Sequence, residues 1–198
     1  MNKNRHDRWL YPHKLPVGGQ GVRPMSVGEH SQPTTRQLQR RRVYIALGSN
    51  LASPLLQINS ALEALARLPD TTLIKCSPFY CSQPLGAQKQ PDYLNAVAAL
   101  DTLLPAEKLL DHTQAIERAQ GRVRNNQRWA PRELDLDIML YDNQIINTER
   151  LTVPHYGLLE RAFMLYPLAD IAPGLILPNG ESLAEKLENL PKNGLILW

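Results

Sequence analysis

Residues 132–141 read Arg-Glu-Leu-Asp-Leu-Asp-Ile-Met-Leu-Tyr, and leucine alternates with aspartate at its centre. Period two is the period of a β-strand with one apolar face. Asp135 and Asp137 therefore project from the same face, about 6.5–7 Å apart along the strand. On a helix, residues two apart diverge by roughly 200°, and the pair would not converge. Neighbouring carboxylates repel each other unless a cation sits between them. Hard oxygen ligands suit Mg²⁺, and Mg²⁺ suits phosphate. A bare Asp-x-Asp is as often a solvated acidic face on an edge strand, so the surroundings decide.

Upstream lie Arg122, Arg124, Arg128 and Arg132 with Trp129 among them, and downstream lie Arg150, Thr152, His155, Tyr156 and Arg161. Cations beside a carboxylate pair also describe a surface ion-pair network. Gly121, Pro131 and Pro154 break regular structure and put these arginines on loops. Planar guanidinium forks on loops match phosphate oxygens, which favours polyanion clamping over plain salt bridging.

The 198 residues fit one domain plus a tail. The net charge of +3 is unevenly spread: residues 1–42 hold nine of the 22 Lys/Arg and two of the 19 Asp/Glu, leaving 13 basic against 17 acidic residues in 43–198. The basicity belongs to the tail and gives the domain no reason to bind nucleic acid. With its prolines, glycines and lack of periodicity, segment 1–42 reads as a disordered basic extension. No apolar run approaches the roughly 20 residues of a membrane span, and the N-terminus lacks the apolar core of a secretory signal. Cys76 and Cys81, an odd number of positions apart in an apparent strand, face opposite ways and do not pair. A reducing cytoplasm is the expected setting.

Along 43–198 the pattern is strand, helix, strand, strand, helix, strand. Val43 to Leu47 is a strand, and Ser53-Pro54 opens a helix with serine as N-cap. Thr71 to Cys81 is strand, Ser82 to Asp92 a loop whose length and composition suit a binding loop or lid, and Tyr93 to Leu100 strand with Tyr93 and Asn95 on one face. Pro105 opens a helix that runs to Gln120 and stops at Gly121, with an apolar stripe of Leu109, Leu110, Thr113 and Ile116. Gln114 and Glu117 share a neighbouring face of it. The Asp-bearing strand follows, then an Asn147-centred turn, some helix in 161–170 and a terminal amphipathic helix in 181–190. The order predicts an α+β, ferredoxin-like βαββαβ sandwich: an antiparallel sheet with helices on one face, plus C-terminal additions.

Ile45-Ala46-Leu47-Gly48-Ser49-Asn50-Leu51, Gln90-Pro91-Asp92-Tyr93-Leu94-Asn95, Arg132-Glu133-Leu134-Asp135-Leu136-Asp137-Ile138, and Val153-Pro154-His155-Tyr156 with Arg161-Ala162-Phe163-Met164 together resemble the 6-hydroxymethyl-7,8-dihydropterin pyrophosphokinase family of folate biosynthesis. The resemblance covers residue 43 to the C-terminus, and its most specific block is Arg-x-Leu-Asp-Leu-Asp-Ile. It implies transfer of the β,γ-pyrophosphoryl group of ATP to a pterin hydroxymethyl with release of AMP. It also implies that Asp135 and Asp137 hold two Mg²⁺ ions.

The resemblance places Tyr93 and Phe163 as the aromatic sandwich around the pterin and Asn95 as the amide that reads its edge. Ser82, Pro84 and Leu85 match the loop that wraps it. For ATP it carries over Gln114, Glu117, Arg122, Arg124, Trp129, Arg132, Ile138, Arg150, Thr152, His155, Tyr156 and Arg161. Of these, Arg122, Arg132, His155, Tyr156 and Arg161 face the phosphates, and Arg124 and Trp129 sit on a closing loop. Two positions depart from the family: Gln83 stands where a proline is frequent, and Asn125 where some relatives carry lysine. The expected protein is a monomer taking ATP and a small pterin. The alternative is a ferredoxin-like RNA-binding module with a basic arm, which would need its own glycine-rich signature. That signature is absent.

Overall fold

The computed structural model describes residues 39–84, 90–121 and 132–198. Most of the expected basic extension, and Leu85, Arg122, Arg124, Asn125 and Trp129, lie outside the described residues.

Among the described residues, strand structure begins two residues before the predicted boundary at residue 43. The first strand, β1, is Arg41–Ser49. Arg42 bonds Asp101 through Nε–H at 2.6 Å and a second N–H at 3.2 Å, and Arg41 donates to Asp142 at 2.7 Å. Carboxylates next to β1 thus draw two arginines of the basic triplet into the sheet.

Helix α1 (Pro54–Ala66) follows, with Pro54 at its first position as predicted. Ser53 occupies the N-cap in a left-handed conformation, φ 65°, and its side chain makes no capping bond. The predicted serine cap is therefore corrected, since the residue sits at the cap in the wrong backbone region to reach the free amides. The helix buries Ile58, Ala61 and Leu65, the i, i+3, i+7 positions of one face. Each large aliphatic residue so buried contributes about 1.5–3 kcal/mol.

The strand predicted over 71–81 is two strands, β2 (Thr71–Cys76) and β3 (Tyr80–Ser82). Pro78 lies in the break. Ser77 bridges it: its N–H donates to the Val97 carbonyl at 2.9 Å, and its hydroxyl accepts the Val97 N–H at 2.9 Å. A side-chain oxygen replaces a backbone carbonyl where the ladder fails. Strand β4 (Tyr93–Thr102) pairs with both pieces. Helix α2 (Ala106–Ala119) comes next, with Pro105 at its N-cap and Gly121 beyond its end at φ +96°, a left-handed position suited to glycine. Strand β5 is Asp135–Tyr141.

The expected Asn147-centred turn is instead a small hairpin of β6 (Ile146–Asn147) and β7 (Thr152–Val153). Helices α3 (Ala162–Ile171) and α4 (Leu183–Glu188) follow, and a terminal strand, β8 (Ile196–Leu197), pairs with β3. No helix of the described residues is long and apolar enough to cross a membrane.

The molecule is mixed α+β. Its main sheet runs β5-β1-β4-β3-β8 with β2 also on β4, every pair antiparallel. Two apolar layers sandwich it. Val43, Ile45, Leu47, Leu136 and Ile138 meet α1 and α2 on one face. Ala46, Val97, Met139, Met164, Leu165 and Leu168 pack together on the other, under α3. Both faces are therefore covered, the second by the C-terminal additions.

Candidate active site

At the aspartate end of β1 the residues toward α1 and α2 are large, Ile45 and Leu47, while Ala46 and Gly48 on the opposite face are small. That alternation leaves a low floor at the α3 end of the sheet. Asp135 pairs with Gly48, which pairs with Asn95, which pairs with Tyr80. In the next row Asp137 pairs with Ala46, which pairs with Val97. Directly paired residues project to the same face, so both aspartates and Asn95 rise beside this floor. Asp135, Asp137, Asn95, Tyr93, Phe163 and His155 all line one cleft.

Beyond the aspartates β5 changes phase. The register with β1 shifts between Tyr44 and Ile45, leaving Met139 as an extra residue. Met139 and Leu140 therefore both lie on the α3 side, and Tyr141 returns to the α1–α2 side. Such a bulge re-aims the chain beside a site. The Met139 carbonyl accepts the His155 N–H at 2.9 Å, which fastens the His155 loop to the strand bearing the carboxylates.

Arg132 donates to Asp135 at 2.5 Å. Burial opposes the Arg132 charge, yet Asp135 beside it and Asp137 beyond hold its pKa above the ordinary arginine value. Asn50, 2% exposed, organises this corner. Its Oδ1 accepts the Arg132 N–H at 2.9 Å, and its Nδ2 donates to Gln90 Oε1 at 3.0 Å and the Pro91 carbonyl at 3.1 Å. Asn50 thus ties β1, the Asp strand and the Gln90 loop together. In the sequence it stands only as one residue of a block between a strand and a helix. Asparagine in a turn is expected to bond locally, and nothing local announces partners 40 and 82 residues away.

His155 lies with Nε2 3.8 Å from Asp137 Oδ2, beyond hydrogen-bond range. Its Nδ1 accepts the Gly157 N–H at 3.2 Å, so the neutral ring carries its proton on Nε2, a tautomer assigned from that bond. Burial, with Arg161 adding to it and Asp135 opposing, pushes the His155 pKa down to about 4. A folded value that low leaves the ring neutral at pH 7, with its N–H on Nε2. Arg161 donates to the Tyr156 hydroxyl at 3.1 Å, with its guanidinium 4.9 Å from that ring and 5.8 Å from the Phe163 ring.

Opposite, Asn95 Nδ2 donates to Ser82 Oγ at 2.9 Å and to the Tyr80 and Tyr93 carbonyls at 3.3 Å. These commitments fix the orientation of the amide. Pro84 is described but is not among the residues lining this cleft.

Five predicted nucleotide residues stand elsewhere. Gln114, Glu117, Ile138, Arg150 and Thr152 do not line the cleft. Helix α2, which carries Gln114 and Glu117, and strand β7, which carries Thr152, pack against β5. Glu117 is 2% exposed and accepts the Leu136 N–H at 2.9 Å. The Ile138 side chain belongs to the α1–α2 core. Arg150, on the hairpin side, donates to Asp111 of α2 at 2.6 Å. The period-two alternation that aims both aspartates into the cleft necessarily turns Ile138 away from it.

Two carboxylates, a histidine, two arginines and three aromatic rings thus line one cleft of an α+β domain. The family model of 7,8-dihydro-6-hydroxymethylpterin-pyrophosphokinase matches residues 44–173, and the chain belongs to that family. It is 56% identical over 155 residues to the 2-amino-4-hydroxy-6-hydroxymethyldihydropteridine pyrophosphokinase of Pseudomonas aeruginosa, covering 78% of this chain and 95% of the relative. The Haemophilus influenzae enzyme of the same name is 51% identical over 153 residues, covering 77% and 95%. Among solved structures, wild-type HPPK-DHPS of Plasmodium falciparum superposes with a TM-score of 0.59 at 11% identity, covering 78% of this chain and 42% of that one. The chain thus spans less than half of that solved chain, and the likeness concerns the fold.

Proposed function

We propose that the protein is a 2-amino-4-hydroxy-6-hydroxymethyldihydropteridine diphosphokinase, moving pyrophosphate from ATP to 6-hydroxymethyl-7,8-dihydropterin with release of AMP, in folate biosynthesis. The observation that carries the reading is the single sheet row holding Asp135, Gly48 and Asn95. With neighbouring strands about 4.8 Å apart, it sets a phosphate-side carboxylate about 10 Å from the ring-reading amide. The βαββαβ connectivity, read with the strand order β5-β1-β4 and β2 on β4, supports a ferredoxin-like core.

The pterin ring lies between Tyr93 and Phe163, where aromatic faces stack favourably. Asn95 accepts from its amide-like edge, and Ser82 holds the Asn95 amide. The hydroxymethyl oxygen attacks the β-phosphorus of ATP. A P–O bond forms there, the bond to the α-phosphate oxygen breaks, and AMP departs with that electron pair. The hydroxymethyl proton is lost, and no residue is assigned as its base. Arg132, Arg161, Tyr156 and the neutral His155 donate to phosphate oxygens. Such chemistry depends on positioning and charge stabilisation.

The donor set of Asp135 and Asp137, oxygen alone, fits hard cations. Two Mg²⁺ ions held there together with triphosphate oxygens would supply charge neutralisation and lower the pKa of the attacking hydroxyl. The nucleoside end is assigned to the outer side of β5, near Gln114, Arg150 and Thr152. Because β5 is an edge strand, a triphosphate over its cleft face can reach a base at its outer side. The Leu136 N–H points outward to Glu117, so the backbone of Ile138, two residues on, faces the same way.

The reading includes a cytoplasmic monomer acting on small molecules, without nucleic acid. The RNA-binding alternative draws no support from the family assignment. Incubation with ATP, Mg²⁺ and 6-hydroxymethyl-7,8-dihydropterin, with the nucleotide products resolved, tests it. AMP is expected only when the pterin is present. ADP in its place would mean transfer of one phosphate and a misread site.

A further inference from the structure

Gly157 is buried and carries no motif that sequence reading singled out. A Cβ built there would lie 2.4 Å from Nε, 2.7 Å from Cζ and 2.9 Å from Cδ of Arg161, closer than non-bonded heavy atoms approach. Its φ is outside the left-handed region, so no left-handed backbone calls for glycine there. What requires glycine is the guanidinium lying on it. All three of the nearest atoms belong to the movable Arg161 side chain. A methyl group would therefore swing the arginine out and leave the fold in place.

The seat has two further walls. The Tyr156 ring and hydroxyl take one side of the guanidinium, and the Phe163 ring stands on another. A planar, weakly hydrated cation settles on such surfaces. The Gly157 amide meanwhile holds His155 Nδ1 at 3.2 Å, which directs Nε2 toward Asp137. One residue thus touches both donors at this end of the cleft.

We propose that Gly157 is a positioning residue for phosphate binding: its missing side chain seats the Arg161 guanidinium over the cleft, while its amide fixes the ring of His155. The inference rests on the phosphate role assigned to Arg161 above. It names a residue that sets how tightly a nucleoside triphosphate is held without touching it.

Steady-state kinetics on four variants of the full chain test it: Gly157→Ala, Gly157→Ser, Arg161→Ala, and Gly157→Ala with Arg161→Ala. Losing a charge-assisted contact raises the KM for ATP about tenfold in Gly157→Ala and Gly157→Ser. Turnover falls no further than in Arg161→Ala, because that arginine is the group displaced. The thermal midpoint holds, and the double variant is no worse than Arg161→Ala. An unchanged KM in both Gly157 variants, beside a raised KM in Arg161→Ala, overturns the seat and leaves the phosphate role standing. An additive double variant also overturns it, since the effect would then bypass Arg161. An Arg161→Ala enzyme with wild-type KM overturns both readings. Unfolding of both Gly157 variants overturns the seat too, for the clash would then be with structure that cannot move.

Discussion

Asp135 and Asn95 flank Gly48 in one row of the sheet, the aspartate from β5 and the asparagine from β4. The glycine between them keeps the floor low, and the two polar side chains face the same open space. A Cβ at Gly48 would sit 3.5 Å from Asn95 Oδ1, an ordinary contact. Its smallness is thus compatible with, and used by, the cleft.

Replacing Asp135 or Asp137 by alanine is expected to cost about 3 kcal/mol or more in transition-state stabilisation, over 100-fold in kcat/KM. Calorimetric Mg²⁺ binding in the presence of a non-hydrolysable ATP analogue should weaken in step. Asp142, which pairs with Arg41 at the other end of β5, is the control: its alanine variant should retain activity, since exposed pairs contribute ~1 kcal/mol or less. Equal losses at all three positions would dissociate the pair from the chemistry.

Phe163→Ala should weaken pterin binding about tenfold, through lost stacking and buried area. ATP affinity should change less. Fluorescence titration of each ligand reads the two separately, and matched losses would argue that Phe163 merely supports the fold.

The lowered pKa of His155 makes stability pH-dependent. The ordinary histidine value is 6.5 and the folded value about 4. The unfolded chain therefore binds the proton more readily between those pH values. This contribution is complete above pH 6.5 and is lost as pH falls through about 4. The slope it adds is at most about 1.4 kcal/mol per pH unit. Denaturation of the metal-free protein from pH 7 to 4 should show it, and His155→Gln should flatten it. An NMR titration midpoint near 6.5 would contradict the burial argument.

Asn50→Ala leaves the Arg132 amide without its side-chain acceptor and should cost about 1–3 kcal/mol of stability. The activity loss should exceed that expected from stability alone, because Arg132 and the Gln90 loop lose their common anchor. Asn50→Asp keeps the acceptor for Arg132 and loses the donors to Gln90 and Pro91. Denaturant melts and kcat/KM for the two variants should therefore separate the two attachments. Identical behaviour would mean that the Gln90 side carries the whole effect.

Local order was largely legible. The alternation in 134–138 describes β5, Pro54 and Gly121 mark helix ends, and the helical spacing of Ile58 and Leu65 describes a buried face. These are short-range rules of sterics and periodicity, and they act within a few residues. Where the chain departed from them, a distant partner intervened. Strand 71–82 breaks at Ser77 and Pro78, where the Val97 N–H donates to the Ser77 hydroxyl in place of a ladder carbonyl, and Arg41 and Arg42 join the sheet because Asp142 and Asp101 stand beside it.

Three things could be read from the chain alone: Asp135 and Asp137 share a face, arginines flank them along the chain, and the blocks around them resemble a pterin pyrophosphokinase. Each of these is a matter of residue type and spacing. Tertiary structure alone decided that Met139 bulges and brings in His155, that Asn50 anchors Arg132, and that Glu117 is buried against Leu136. It alone laid Arg161 upon Gly157. Such contacts depend on which strands become neighbours and in what register, and no local pattern encodes a partner that arrives only when the sheet has closed.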